Sequence, residues 1–244
     1  MEKHPQADAP TNGFRARDWN VQPKLLWPEY NSTILREPNL PVVRLAPTLS
    51  EVTGPAFSRD SIDALDQNLL ANARLDRDPL GERILICGRV SDQDGQPVIQ
   101  TRVEVWQANA AGRYQHVNDH YRAPLDPNFS GYGCCLTDEQ GDYEFLTIRP
   151  GPYPFANGDN TWRPSHVHFS LFGPAFATRL VTQMYFEGDP LIEHCPMLGS
   201  IPDADAQKRL IARLDMDRSR PFDCLAYRFD LVLRGPRQTY FENE

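Results

Sequence analysis

The chain has 244 residues, with 22 prolines against 15 glycines and a formal net charge of −8. Proline at about 9% excludes a mostly helical protein, because each interior proline removes a backbone donor and clashes with the preceding turn. An acidic balance, 33 Asp and Glu against 25 Lys and Arg, excludes nucleic acid as the main ligand, since phosphate binding needs clustered cations.

Residues 1–56 hold eight prolines and little periodicity. They are expected to form an irregular, proline-rich N-terminal arm lying across a surface of its own domain or of a partner. Trp27, Tyr30, Ile34, Leu35 and Leu40 give that arm something to bury. The opening MEKHPQADAP lacks the apolar core of a secretory signal, and no apolar run approaches the roughly 18 residues of a membrane span. A cytoplasmic protein is the expectation, with neither membrane nor nucleic acid as partner. From residue 57 onward the chain reads as a single domain, 57–244.

Within it a helix is expected at 58–72, capped by Ser58 or Asp60, with Ile62, Leu65 and Leu69 at helical spacing. Strand signals then dominate. An apolar run at 82–90 ends in the turn-rich Ser91-Asp-Gln-Asp-Gly-Gln-Pro97, and at 101–107 Val103 and Val105 alternate with Glu104 and Trp106. Further strands are expected at 142–148, 165–172, 178–186 and 224–234. In the last, Leu225, Tyr227, Phe229, Leu231 and Leu233 share a face opposite Arg228, Asp230 and Arg234. A second helix is expected at 203–216, capped by Asp203, with Leu210, Ile211 and Leu214 on one stripe. Strands bounded by turns, with few helices between them, predict an antiparallel β-sandwich. The cysteines (Cys87, Cys134, Cys135, Cys195, Cys224) are odd in number and form no CxxC, so ordinary reduced thiols are expected.

Chemistry concentrates in 150–170. On a strand, residues two apart share a face, so His166 and His168 project together while Val167, Phe169 and Leu171 point the other way. Two imidazoles so placed can take adjacent positions on one metal ion. His-x-His is a short pattern, and by itself it also fits two ordinary sheet histidines. No nearby carboxylate completes a facial triad and no cysteine completes a zinc set. What lies near is tyrosine: Tyr153, between Pro152 and Pro154, and Tyr114 further upstream. A phenol with a pKa near 10 is a poor zinc ligand at neutral pH, but a trivalent hard ion favours the phenolate. Two phenolates and a hydroxide would neutralise Fe(III), with two neutral imidazoles completing the coordination. Taken singly, each tyrosine is better explained as a core or rim residue.

Three motifs together are far more specific. They are Gly88-Arg-Val-Ser-Asp-Gln-Asp-Gly95 running on through Val103-Glu-Val-Trp-Gln-Ala-Asn-Ala-Ala-Gly-Arg-Tyr114; Gly151-Pro-Tyr-Pro-Phe155 with Trp162-Arg-Pro-Ser-His-Val-His-Phe169; and Gln183-Met-Tyr-Phe-Glu-Gly-Asp-Pro-Leu-Ile192. Through them, and through the closing Thr239-Tyr-Phe-Glu-Asn243, essentially the whole chain resembles the intradiol ring-cleavage dioxygenases. Within that family it is most similar to the β subunits of the two-subunit members.

The resemblance implies a prealbumin-like sandwich and a non-haem Fe(III) held by Tyr114, Tyr153, His166 and His168. It makes Tyr153 and His168 axial, and Tyr114, His166 and a hydroxide equatorial. A catechol dianion displaces the hydroxide and Tyr153, each leaving base taking one catechol proton, and O2 cleaves the bond between the hydroxyl-bearing carbons. For the two-subunit members the implied substrate is 3,4-dihydroxybenzoate, giving 3-carboxy-cis,cis-muconate in the β-ketoadipate pathway of aromatic catabolism. Arg163 is implied to stabilise negative charge on the ring, and Gln183, with Tyr185 beside it, to act as a hydrogen-bond donor around the site. Tyr30, Trp106, Phe155 and Met197 are implied to line the substrate pocket. Phe155 departs from the tryptophan usual there, which enlarges the pocket and removes a donor. The implied partner is a homologous α subunit in a hetero-oligomer, contributing contacts to the substrate carboxylate. His116, His120 and His194 fall outside the matched positions and are expected to be surface or structural residues. Two other readings are a single-chain intradiol enzyme for catechol or hydroxyquinol, and a metal-free β-sandwich binding module. The first usually carries a longer helical N-terminal region, and the second predicts loss of at least one of the four ligand positions.

Overall fold

Alternating apolar residues decide most of the strands in the computed structural model, which describes residues 23–43, 62–172, 179–233 and Thr239. The strands are β1 (Arg83–Asp92), β2 (Arg102–Trp106), β3 (Tyr132–Leu136), β4 (Asp142–Ile148), β5 (Tyr153–Pro154) and β6 (Trp162–Arg163). They continue with β7 (His166–Phe172), β8 (Arg179–Phe186), β9 (Ile211–Arg220), β10 (Cys224–Arg228) and β11 (Leu231–Leu233). Three short helices join them: α1 (Asn31–Arg36), α2 (Pro196–Gly199) and α3 (Ala204–Arg209). The fold is mainly β, as expected. No helix among the described residues is long and apolar enough to cross a membrane.

The expected pair of antiparallel layers is replaced by one continuous mixed sheet of nine strands. β1 pairs antiparallel with β4 on one edge and parallel with β10 and β11 on the other, while β8 and β9 are also parallel. Parallel neighbours need a crossover rather than a hairpin. Between β8 and β9 the segment carrying α2 and α3 provides it. The sheet curves over one main core, with a smaller buried cluster of Leu85, Cys224 and Ala226. Phe169 of β7 packs 5.1 Å from Phe229 and 5.8 Å from Tyr143 of β4, measured between ring centroids. Val103, Val105, Val167, Ile84 and Phe145 are fully buried around them, each such side chain contributing roughly 1.5–3 kcal/mol.

Both helix expectations need correction. Over 62–72 the chain makes successive turns, and 58–61 lies outside the described residues. Asp63 and Asn68 side chains accept from the backbone N–H groups of Leu65 and Leu70, and Leu69 N–H donates to Leu146 O at 2.9 Å. These local side-chain bonds and a bridge to β4 offer the backbone an alternative to the helical ladder. At 203–216 the cap is where it was expected, Asp203 accepting from Asp205 N–H, but the helix stops at Arg209. The chain then becomes β9, because Arg213, Leu214 and Asp215 pair with Arg228, Tyr227 and Ala226 of β10.

The strand expected at 224–234 is interrupted between β10 and β11, both of which still run along β1. In the arm, residues 23–43 include the unforeseen helix α1, and Ile34, Leu35 and Leu40 are exposed rather than buried. The rest of residues 1–56 lies outside the described residues, as does all of the closing Thr239–Asn243 segment except Thr239. All five cysteines are unpaired thiols and buried.

Candidate metal centre

Register across three strands lays out the first part of the site. Trp106 of β2, His168 of β7 and Gln183 of β8 are direct cross-strand partners, and His166 faces Tyr185 two residues along β7. Alternation on β7 sends Val167, Phe169 and Leu171 into the core, leaving the two histidines on the opposite face. Their ring centroids are 5.0 Å apart.

His166 is buried, and its Nδ1 lies 2.7 Å from the Pro164 carbonyl oxygen. A carbonyl only accepts, so Nδ1 carries the proton and Nε2 presents a lone pair, 3.3 Å from the Tyr153 hydroxyl. Burial, reinforced by the nearby Arg163 charge and then by His168, holds the His166 pKa well below the ordinary histidine value. The ring is therefore neutral, the form that binds a metal. The His168 imidazole is stacked on the Trp106 indole, centroids 4.8 Å apart and planes within 5°.

The tyrosines come from two other segments. Tyr153 sits on β5, paired with Arg163 of β6 in a small hairpin separate from the main sheet. Tyr114 lies in the long loop between β2 and β3, and its ring is edge-on to Tyr153 at 5.6 Å. Asn109 shapes that loop. Its Oδ1 accepts from the N–H groups of Ala111 and Arg113, and its Nδ2 donates to Pro124 O. Gly112 then brings the loop against the hairpin. Its φ is +77°, and a Cβ there would lie 2.2 Å from Pro152 O and 3.3 Å from the Tyr153 Cβ. Only a residue without a side chain permits this approach.

Tyr114, Tyr153, His166 and His168 thus form one continuous cluster. Among the described residues, no three His, Cys, Asp or Glu side chains gather in a metal-holding group. A metal at this place depends on the two phenols, and a donor set of two phenols and two imidazoles fits a hard trivalent ion.

Beside the cluster, Arg163 is fully buried. One of its guanidinium NH2 groups donates to Gln183 Oε1 and reaches Tyr185 Oη at 3.3 Å, while Tyr185 Oη–H donates to the same Gln183 Oε1 at 3.0 Å. The guanidinium carbon stands 5.8 Å from the Phe155 ring centroid, and Phe155 is 5.9 Å from Tyr30. Met197 approaches the Gln183 amide, its Sδ 3.8 Å from Nε2. A small, mostly apolar cavity behind Gln183 and Tyr185 is walled by Met197, Leu198, Ile201 and Leu210.

Trp106, Arg163 and Tyr185 thus adjoin the cluster and Gln183 bonds to two of them, while Phe155 and Met197 stand next to Arg163 and Gln183 and Tyr30 next to Phe155; His116, His120 and His194 are exposed. Sequence reasoning missed Asn109 and Gly112, which set the Tyr114 loop, and Asn157, which ties the hairpin to the arm. The signal for the first two is the Asn-x-x-Gly spacing of an Asx-stabilised turn directly after a strand.

Comparison with known proteins bears on what this cluster does. Residues 52–235 match the family model described as "Dioxygenase", and residues 15–48 match "Protocatechuate 3,4-dioxygenase beta subunit N terminal". The chain is 49% identical over 235 residues to the protocatechuate 3,4-dioxygenase beta chain of Burkholderia cepacia, covering 96% of this chain and 99% of that one. To the protocatechuate 3,4-dioxygenase alpha chain of Pseudomonas putida it is 31% identical over 211 residues, covering 83% and 98% respectively. Among solved structures, the chlorocatechol 1,2-dioxygenase of Pseudomonas putida superposes with a TM-score of 0.52 at 26% identity, covering 74% of this chain and 69% of that one.

Proposed function

Since the chain belongs to the intradiol dioxygenase family, among the protocatechuate 3,4-dioxygenase β subunits, we propose that it is the catalytic subunit for O2-dependent cleavage of 3,4-dihydroxybenzoate. The product is 3-carboxy-cis,cis-muconate, an intermediate of aromatic catabolism. The observation that carries the reading is the convergence of two phenols and two imidazoles beside a buried arginine.

Tyr114, Tyr153, His166 and His168 are the residues that would hold a non-haem ferric ion, whose Lewis acidity would organise a catechol dianion for attack by oxygen. The chain's own residues do the rest. The His166 proton stays on Nδ1, held by Pro164 O, so that Nε2 keeps its donor lone pair. Tyr153, a phenolate while it holds the ion, would accept one catechol proton as the substrate enters, the other leaving to solvent base, and its ring stands beside His166, centroids 5.4 Å apart. Arg163 stays cationic throughout and lies close to the plane-lining Phe155, so its fixed charge stabilises negative charge that builds on the ring. Gln183 and Tyr185 fix the guanidinium, which therefore needs little reorganisation during reaction.

Tyr30, Trp106, Phe155 and Met197 form the pocket wall. With Phe155 in place of tryptophan, the pocket gains room and loses one N–H donor, which relaxes selection among 4-substituted catechols. The acidic chain receives an anionic substrate through Arg163 and through groups of a homologous α subunit, its partner in a hetero-oligomer. Residues 1–56 act as the arm that carries Tyr30 to the pocket of domain 57–244.

The test is co-expression with the α subunit, followed by visible spectroscopy and oxygen uptake on a panel of catechols. Ferric–tyrosinate charge transfer should colour the protein red-brown, and 3,4-dihydroxybenzoate should be consumed fastest. His166→Ala should lose the iron and the colour together. A folded, colourless wild-type protein free of iron would overturn the reading.

A further inference from the structure

Asn157 lies in the turn of the β5–β6 hairpin, between Tyr153 and Phe155 on one side and Arg163 on the other. Its side chain reaches a part of the chain more than 120 residues away. Nδ2 donates to Glu29 O at 2.7 Å, and Oδ1 accepts from Asn31 N–H at 2.7 Å. The two backbone groups it engages are those on either side of Tyr30. A primary amide offers a donor and an acceptor side by side, as a peptide group does, so one side chain makes a two-bond bridge to an otherwise separate segment.

The bridge also completes a helix. Asn31 is the first residue of α1, and its N–H is one of the donors a helix cannot satisfy internally. Tyr30, at the N-cap position, supplies no side-chain bond. Asn157 supplies one from a distant loop, while Thr33 Oγ1 accepts from Trp27 N–H at 2.9 Å and closes the preceding turn. With its flanking peptides held, the Tyr30 ring is set 5.9 Å from Phe155, which in turn is 5.8 Å from the Arg163 guanidinium carbon. A continuous line of contacts therefore runs from Asn157 through Tyr30 and Phe155 to the buried cation.

We propose that Asn157 is a positioning residue which clasps the arm to the hairpin, fixing Tyr30 at the pocket and so setting affinity and selectivity for the catechol. The inference rests on the dioxygenase reading. Asn157 itself lies outside the ligand cluster and the Arg163 network, so it acts only through Tyr30.

The experiment uses the iron-loaded αβ enzyme. Asn157→Ala should raise KM for 3,4-dihydroxybenzoate roughly three- to tenfold, the loss of two partly solvated hydrogen bonds, with kcat, iron content and visible spectrum unchanged. Asn157→Asp, which keeps the acceptor and loses the donor, should fall between the two. In a Tyr30→Ala background the effect of Asn157→Ala should vanish, because neighbours acting through one contact are not additive. Hydrogen exchange at the Asn31 amide should quicken in Asn157→Ala. An unchanged KM, or an effect fully additive with Tyr30→Ala, overturns the proposal. Iron-loaded wild-type protein that consumes no oxygen with any catechol would overturn the functional reading instead. Exchange at Asn31 then decides the clasp, and unchanged exchange overturns it.

Discussion

His166 and His168 stand two residues apart on one strand, yet their rings are held by different means. A carbonyl two residues upstream fixes the first: Pro164 O binds Nδ1 and thereby aims Nε2 at Tyr153. The second lies flat against Trp106, its cross-strand partner on β2. A parallel stack over a wide indole resists rotation of the imidazole about its own bond, which fixes the direction of the ring's lone pair. In the proposed centre this would give Trp106 a task beyond the pocket wall. Trp106→Leu keeps much of the apolar volume and removes the flat face. It should release iron to a chelator about tenfold faster and shift the visible charge-transfer band, with Trp106→Phe restoring most of both. Wild-type release and an unshifted band in Trp106→Leu would reduce the stack to packing.

The next scale up is the meeting of the Tyr114 loop with the β5–β6 hairpin, where Tyr114 and Tyr153 are brought together by a glycine. Gly112→Ala would place a methyl 2.2 Å from Pro152 O in a left-handed backbone, which costs about 1–2 kcal/mol before any clash is relieved. The loop must move away from the hairpin, so the variant should fold with near-wild-type circular dichroism but bind little iron. Full iron content would mean that the loop yields without moving Tyr114. This contact also marks how far the sequence could be read. The face shared by His166 and His168 follows from strand periodicity alone, and so do β1, β4 and β7. The approach of Tyr114 to Tyr153 does not, because it depends on a turn held by Asn109 and on a tertiary contact with no periodic trace. Donor chemistry named both tyrosines as candidates, and the resemblance to a known family was what joined them. The helices failed for a related reason. Leu210, Ile211 and Leu214 fit a helical stripe, but β10 was available to pair with Leu214 and won. Asp203 marked where the helix begins, and no glycine marked where it stops.

At the scale of the whole molecule, the arm was expected to bury its apolar residues, and among the described residues Trp27 and Tyr30 are half-buried while Ile34, Leu35 and Leu40 are not. Leu35 is 91% exposed, Val43 83% and Leu40 79%, with Ile34 and Val42 exposed beside them. Five large apolar side chains exposed within ten residues of sequence mark this segment as a candidate contact patch. The same segment carries Tyr30 and is clasped to the hairpin by Asn157, so whatever covers the patch also steadies the pocket. In the proposed assembly the α subunit covers it. Leu35→Glu combined with Val43→Glu puts two charges where burial is required, and burying an unpaired charge is strongly unfavourable. Co-expressed with a tagged α subunit, this variant should be recovered at a small fraction of the wild-type yield. The chain purified alone should keep its fold and the iron colour expected of it, because none of the four proposed ligand residues is touched. Any αβ complex that does form should have a raised KM for 3,4-dihydroxybenzoate, since the arm is then less firmly seated. Wild-type recovery of the complex would place the α subunit elsewhere and leave the patch without a role in assembly.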